Sequence, residues 1–136
     1  MTGRPRLAAI LRLAGSNCSA ETSLIIAARA SAAVGREAGL AFNRRFWMRD
    51  GTVGWNPGKL NTNIVRPAGP IDPEVGVVYF ETTNALPVLT YVNFAMHPDT
   101  VGGLEYSADY AFTLARLLGD YHGTNMVTVF ANGACG

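Results

Sequence analysis

The sequence predicts an α/β fold in which a mixed, largely antiparallel sheet is flanked by helices. Two apolar runs rich in β-forming residues, 75–81 and 86–96, are separated by a short polar turn, which favours an antiparallel hairpin. A third run of this kind covers 125–131. Apolar residues at helical spacing predict helices near 20–36 and 107–118.

The two predicted helices have recognisable ends. Ser19 can cap the first and Gly39 can stop it, while Ser107 can cap the second, which is expected to end near Gly119. The side chains expected to face the core are Leu24, Ile25, Ala28, Ala32 and Val34 in the first helix, and Phe112, Leu114, Ala115 and Leu118 in the second.

The segment between the first helix and the predicted hairpin is expected to be mostly irregular. Residues 41–48 predict a short strand, and the turn signal Asp50-Gly51 would let 52–55 fold back on it. From 56 to 73, proline and glycine are frequent among asparagine and aspartate, which predicts a long ordered loop.

Composition predicts a single domain of ordinary size. The chain has 136 residues, of which 49% are hydrophobic and 15% are charged, so it can bury a core. A net charge of +1 argues against a nucleic acid as partner. No apolar run reaches the length of a transmembrane segment. The apolar run 7–11 follows two arginines, as in a signal peptide, but Arg12 interrupts it, so localisation stays open.

The two cysteines exclude some classes of protein. Cys18 and Cys135 lie far apart and in no Cys-x-x-Cys arrangement, which excludes zinc-finger and thioredoxin-like motifs. They can form a disulfide or stay free.

The most informative chemical group is His97, which follows an apolar strand and precedes Pro98. Metal ligands and catalytic bases often lie at strand ends, because the strand fixes the side chain and the following loop leaves room for substrate. The alternative is an ordinary hydrogen-bonded turn residue. His122 follows the second helix in a polar turn and is expected to face solvent.

Four sequence blocks together resemble one protein family. The blocks are 43–51, beginning Asn43-Arg44-Arg45-Phe46; 55–59, Trp55-Asn56-Pro57-Gly58-Lys59; 64–77, beginning Ile64-Val65-Arg66-Pro67; and 93–136, with Asn93-Phe94-Ala95-Met96-His97-Pro98-Asp99 and Asn132-Gly133-Ala134-Cys135-Gly136. They resemble the catalytic domain of the neutral/alkaline (non-lysosomal) ceramidase family, in its bacterial ceramidase-like branch. The resemblance covers about residues 16–136, and residues 1–15 diverge from it.

The resemblance implies a zinc-dependent hydrolase that cleaves the amide of an N-acyl sphingosine into a fatty acid and a sphingoid base. His97 matches a zinc ligand of the family. Arg44 matches an arginine near the active site that would contact substrate or a developing oxyanion; the alternative is a structural salt bridge. Asp99 and Asp109 could orient His97, or could instead belong to a turn and to the first turn of a helix.

The family's other zinc ligands would lie outside this chain, with a histidine upstream of residue 1 and a glutamate and a tyrosine beyond residue 136. We therefore expect an incomplete part of a larger catalytic domain, without substantial amidase activity alone. One alternative is a non-catalytic module of the same origin that binds lipid or protein. A further alternative is a metal site that is completed by ligands from two copies of the chain. Apolar edges are expected to be exposed where the rest of the domain would pack, which predicts self-association.

Three weaker candidates have ordinary structural alternatives. Ser107 could act as a nucleophile, although a helix cap explains it more simply. Residues 132–136 could form an anion-binding nest of backbone N–H groups or a plain turn. The aromatic side chains that could line a groove for an acyl chain, or simply pack, are Phe46, Trp47, Trp55 and Tyr106.

Overall fold

The computed structural model describes residues 7–15, 22–123 and 126–135. Within these residues the chain forms strands and one helix in the following order: β1 (Leu7–Gly15), β2 (Thr22–Arg36), β3 (Arg45–Met48), β4 (Val53–Trp55), β5 (Ile64–Pro67), β6 (Glu74–Thr82), β7 (Pro87–Phe94), α1 (Asp109–His122) and β8 (Val127–Asn132).

The strands form two sheets. The larger has the order β1-β2-β6-β7-β8, and the smaller has the order β4-β3-β5. Every strand pair is antiparallel except β7–β8, which is parallel because α1 carries the chain back across the sheet between these two strands. The predicted fold class, α/β with a mixed and largely antiparallel sheet, is confirmed.

The helix predicted near 20–36 is wrong, because the segment forms the strand β2. β2 pairs with β1 on one side and with β6 on the other, from Ala28 opposite Thr82 to Arg36 opposite Glu74. Alanine-rich sequence favours a helix locally, but pairing on both sides outweighs that weak preference. The proposed cap at Ser19 lies outside the described residues.

The predicted hairpins are both present. β6 and β7 pair antiparallel, and β3 and β4 pair antiparallel around the Asp50-Gly51 turn. Asp50 stabilises this turn by accepting hydrogen bonds from the hydroxyl and the backbone N–H of Thr52, which lower the pKa of the Asp50 carboxyl.

The predicted irregular loop over 56–73 is only partly correct, because β5 lies within it and pairs with β3. Arg66 lies opposite Trp47, and its guanidinium carbon is 5.7 Å from the centroid of the indole ring. A cation–π contact between the two strands therefore stabilises a pairing that the proline-rich composition did not predict.

The second predicted helix is confirmed as α1, although it runs past Gly119 to His122. Gly123 ends it: the residue has a φ of 111°, and its N–H donates to the Gly119 carbonyl. Leu114, Ala115 and Leu118 are half-buried as expected. Phe112 is 63% exposed, so its predicted place in the core is wrong.

The buried residues concentrate around β7. Three alternate side chains of this strand, Thr90, Val92 and Phe94, are buried together with the following Ala95, and Met126 is buried at the start of β8. The Thr90 hydroxyl donates to the Met126 sulfur at 3.3 Å. The core therefore supports the ends of β7 and β8, where the chain continues to His97 and Cys135.

Candidate functional site

A cleft of about 480 Å³ lies beside the ends of β7 and β8. It is lined by residues from every block of the ceramidase-like pattern. The lining residues are Leu40–Arg45, Trp55, Asn56, Pro70–Asp72, Ala95–His97, Asp99, Thr100, Ala134 and Cys135. Two of the predicted site residues, Arg44 and His97, are thus brought into one cleft from positions 53 residues apart in sequence.

Local hydrogen bonds fix the backbone on both sides of Arg44. The Asn43 side-chain oxygen accepts the Arg45 N–H at 2.9 Å, and its amide nitrogen donates to the Pro70 carbonyl at 3.2 Å. The Arg44 carbonyl accepts the N–H of Asn56 at 2.7 Å. These contacts tie the start of β3 to both neighbouring loops and hold Arg44 at the wall of the cleft.

The Arg44 guanidinium has two partners. One of its nitrogens lies 3.7 Å from a carboxylate oxygen of Asp99, and its carbon lies 5.6 Å from the centroid of the Trp55 ring. Asp99 thus pairs with Arg44, and its side chain is 75% exposed. Its role in orienting His97 stays a prediction. Arg44 therefore both forms a salt bridge and lines the cleft.

His97 lies three residues after β7, and its ring faces Cys135 across the cleft floor. The His97 Nδ1 and the Cys135 sulfur are 3.5 Å apart. Phe94 and Asn132 are the last paired residues of β7 and β8, so each of the two side chains follows its strand by the same three residues. The parallel pairing is what brings the imidazole and the thiol together.

Gly133 permits this approach. Its N–H donates to the Phe94 carbonyl at 2.9 Å, and a Cβ atom there would lie 3.1 Å from the backbone nitrogen of Ala95. Since the Gly133 N–H is already bonded to the protein, the anion-binding nest considered for 132–136 does not have this donor available. The described residues 133–135 bend against the end of β7, and Gly136 lies outside the described residues.

Asp109 is buried and holds the turn that follows His97. Its carboxylate accepts hydrogen bonds from the hydroxyl and N–H of Thr100 and from the N–H groups of Val101 and Tyr110. The Thr100 hydroxyl is the main reason that the pKa of Asp109 falls to about 2, and the backbone N–H groups add to it, although burial opposes the shift. Asp109 also has a φ of 54°, a strained value for this residue type.

Asp109 therefore acts on the site through the backbone. Its four hydrogen bonds come from residues 100, 101 and 110, and three of them come from backbone N–H groups. Its role in orienting His97 stays a prediction. The helix-start interpretation is correct for its position, since α1 begins there. The predicted cap at Ser107 is wrong, because the N-cap of α1 is Ala108 and no side chain forms a cap hydrogen bond. The Ser107 hydroxyl oxygen instead accepts the Asp109 N–H at 3.0 Å, a local turn contact that precedes the helix.

Tyr110 and Cys135 are contributors that the sequence interpretation missed. The Tyr110 hydroxyl donates to the Met96 carbonyl, and its ring packs edge-on against Phe130 at 5.2 Å, so α1 is fastened to the residue before His97. Burial raises the pKa of Tyr110, and the charges of Cys135 and Asp109 add to this. His97 and Cys135 each follow their strand by three residues. With the parallel β7–β8 register known, this equal spacing would have predicted that they lie close together.

Several predicted contributors lie elsewhere. His122 is half-buried, so the expectation that it faces solvent is wrong; its ring packs 5.4 Å from that of Tyr79 and 4.7 Å from that of Tyr121. Of the four aromatic candidates for an acyl groove, Trp55 lines the cleft. Tyr106 is fully exposed, and Trp47 packs under Arg66.

Among the described residues, the side chains near His97 do not supply the full ligand set of a catalytic zinc centre. Such a centre needs about three protein ligands and an open position. Among the described residues, no group of three His, Cys, Asp or Glu side chains is placed to hold a metal ion. Asp99 pairs with Arg44, Asp109 accepts four hydrogen bonds, and the Cys135 sulfur lies 3.5 Å from His97 Nδ1.

No protein-family model, curated protein or solved structure matches the chain. The ceramidase resemblance therefore stays a prediction. No helix among the described residues is both long enough and apolar enough to span a membrane.

Proposed function

We propose that the chain is a portion of a ceramidase-like catalytic domain whose cleft binds the amide region of an N-acyl lipid such as an N-acyl sphingosine. The observation that supports this proposal is the convergence of Arg44, Trp55, His97 and the 70–72 loop on one cleft. The sequence blocks that carry the resemblance are distant along the chain, and a merely accidental similarity would not require them to line the same cavity.

The cleft has the mixed chemistry that an N-acyl lipid needs. Arg44 supplies a permanent positive charge that can hold a carbonyl oxygen or a carboxylate. Leu40, Phe42 and Trp55 form an apolar rim, each more than 60% exposed, on which an acyl chain can bury its methylene groups. The cleft therefore offers a charged group for the polar linkage and apolar surface for the acyl chain.

The proposal includes the absence of substantial amidase activity from the chain alone. Fewer than three metal-ligating side chains meet at His97 among the described residues, which is too few for a catalytic zinc centre. We expect no metal-dependent release of fatty acid from an N-acyl sphingosine by the purified chain. Robust zinc-dependent hydrolysis that is lost in His97→Ala would contradict this part of the proposal.

Binding is tested by tryptophan fluorescence, because the chain offers a matched pair of probes. Trp55 lines the cleft and Trp47 does not. Titration with a short-chain N-acyl sphingosine should change the emission of Trp47→Phe, which keeps Trp55, and leave Trp55→Phe almost unchanged. Equal responses in both variants, or no response in either, would exclude the cleft as the lipid site.

The second candidate is a non-catalytic module that binds lipid or protein through the same apolar rim. The exposure of Phe42 and Trp55, at 66% each, favours it. The two candidate functions differ in whether lipid binding requires the amide group. A ceramidase-like cleft should prefer the N-acyl sphingosine to a diacylglycerol of equal chain length, and Arg44→Ala should abolish that preference. Arg49→Ala is the control, because Arg49 is exposed and is not among the residues that line the cleft.

A further inference from the structure

The three-stranded sheet β4-β3-β5 has one face that combines aromatic and positively charged side chains. Arg45 on β3 lies opposite Trp55 on β4. Trp47, two residues further along β3, lies opposite Val53 on one side and Arg66 on the other. Residues paired directly across an antiparallel sheet point to the same side, so these five side chains form one surface, the tryptophan–arginine face.

The tryptophan–arginine face is exposed. Trp47, Val53 and Trp55 are 37%, 44% and 66% exposed, and both arginines of the face are exposed as well. Phe46 and Met48, which alternate with these residues along β3, are half-buried on the other side of the sheet. Large aromatic side chains are usually well buried, so two exposed indoles on one face indicate a surface that binds a partner.

The face is positively charged as well as aromatic. Residues 44–66 include five Arg or Lys residues and a single acidic residue, Asp50, although the whole chain has 11 basic and 10 acidic residues. Neither Arg45 nor Arg66 takes part in a salt bridge among the described residues. An excess of positive charge therefore lies on this sheet, and it is complementary to a partner with a negatively charged surface.

We propose that the tryptophan–arginine face docks the chain on an anionic lipid bilayer, with the indole rings at the level of the headgroups and the guanidinium groups on the lipid phosphates. Tryptophan is enriched at membrane–water interfaces, because its ring is apolar and its N–H needs a polar partner. Arginine binds phosphate through several planar donors, and basic residues near an anionic leaflet strengthen attachment. The inference does not depend on whether the cleft binds an N-acyl lipid.

Two cation–π contacts favour a bilayer over a single-stranded nucleic acid as the partner. The guanidinium carbon of Arg66 lies 5.7 Å from the ring centroid of Trp47, and that of Arg44 lies 5.6 Å from the ring centroid of Trp55. Sequence-tolerant binding of single strands relies on bases that stack on aromatic rings. Because a guanidinium already covers one face of each indole, stacking is hindered, whereas contacts from the ring edges and the arginine donors to lipid headgroups are not.

The rim of the cleft extends the same surface. Trp55 belongs both to the tryptophan–arginine face and to the lining of the cleft, which also includes Leu40 and Phe42, at 64% and 66% exposure. Docking through the face would bring these apolar side chains to the lipid surface. Attachment to a bilayer strengthens with buried apolar area and with electrostatic attraction, and this region of the chain supplies both.

The experiment is co-sedimentation of the purified chain with vesicles that contain no N-acyl lipid. The vesicles are made either of phosphatidylcholine alone or of equal amounts of phosphatidylcholine and phosphatidylserine. We expect binding to the anionic vesicles at low salt, binding to the neutral vesicles that is weaker by about tenfold or more, and release as salt rises.

Substitutions of one arginine test which surface is responsible. Arg66→Gln should weaken binding to the anionic vesicles by about fivefold, since one basic residue near such a surface contributes about that factor. Arg66→Lys keeps the charge and should keep most of the affinity. Arg116→Gln is the matched control, because it removes an exposed arginine from α1 and should bind like the wild-type chain.

A fluorescence measurement separates docking on a bilayer from lipid binding in the cleft. In Trp55→Phe the remaining tryptophan is Trp47, which does not line the cleft. Anionic vesicles that contain brominated phosphatidylcholine should quench its emission, because an indole at the interface approaches the bromine atoms. If a variant does not fold, the wild-type chain still tests the proposal, since its binding must require phosphatidylserine and must fall as salt rises.

Several results would overturn the proposal. They are no binding to anionic vesicles at low salt, equal binding to neutral and anionic vesicles, equal losses in Arg66→Gln and Arg116→Gln, and unquenched emission of Trp47 on bound vesicles. Binding of a single-stranded RNA oligonucleotide that depends on Arg66, without binding to vesicles, would identify the face as a nucleic-acid site instead. Because the vesicles lack N-acyl lipid, none of these results depends on whether the cleft binds N-acyl sphingosine.

Discussion

Strands β2 and β7 of the five-stranded sheet differ sharply in burial. On β7, Thr90, Val92 and Phe94 are 4–6% exposed, and the neighbouring β8 packs against α1. On β2, burial is slight beyond Ala28, and Val34 is 66% exposed. The cleft is lined by residues that follow β7 and β8. This contrast indicates that the rigid part of the fold is the part that positions the candidate site, as expected when a scaffold holds functional loops.

Core truncation should show the contrast most strongly. Phe94→Ala removes a side chain that is 6% exposed and should lower the free energy of unfolding by about 3–5 kcal/mol. Val34→Ala, at 66% exposure on β2, should change it by less than about 0.5 kcal/mol. Urea unfolding of both variants measures the difference. Equal decreases in the free energy of unfolding would show that β7 and β2 contribute equally to stability.

Gly133→Ala should disturb the junction between the two parallel strands. The added methyl group would lie 3.1–3.2 Å from the backbone nitrogen, Cα and Cβ of Ala95, so we expect a loss of about 1–3 kcal/mol and a displaced Cys135. NMR of the His97 ring nitrogens reports the displacement. Gly102→Ala is the matched control, because a Cβ there meets no atom within 4 Å. Unchanged His97 signals in Gly133→Ala would contradict this account of the turn.

Asp109→Asn should alter the pH dependence of stability. The folded pKa of about 2 lies below the ordinary aspartate value, so the carboxylate stabilises the fold above about pH 4, and this contribution is lost as pH falls towards 2. The variant should have a midpoint Tm that is lower by roughly 5 °C at pH 7, and a smaller difference from wild type at pH 2. Thermal unfolding across this range tests it. A difference that is constant with pH would exclude the charge of Asp109 as the cause.

Asp99→Asn should have the smallest effect on stability. The ion pair with Arg44 is 3.7 Å long and Asp99 is exposed, so its loss should cost less than about 1 kcal/mol and depend on salt. Asp120→Asn removes the exposed pair with Arg116 on α1 and provides a comparison away from the cleft. If the resulting greater freedom of Arg44 matters, only Asp99→Asn should change lipid affinity. Equal effects on binding would make the pair incidental.

The elements that could be predicted from sequence are those with local signals. The β6–β7 hairpin, the Asp50-Gly51 turn and α1 depend on contacts between near neighbours, and all three are present. β2 could not be predicted, because its alanines favour a helix and its strand state comes from distant partners. β5 was not predicted because it lies in a proline- and glycine-rich segment, and it depends on the pairing of Trp47 with Arg66, which are 19 residues apart in sequence.

The candidate site likewise combines residues that local sequence could predict with contacts that only long-range pairing creates. Arg44 and His97 could be selected from their residue types and their local context, because a strand end and a turn are signalled by nearby residues. Their meeting with Trp55 and Cys135 required the parallel β7–β8 register and the close approach of Gly133 to Ala95. Sequence therefore determined which chemical groups were present and which local elements carried them. Only long-range strand pairing decided which groups meet, because it depends on contacts that no local pattern encodes.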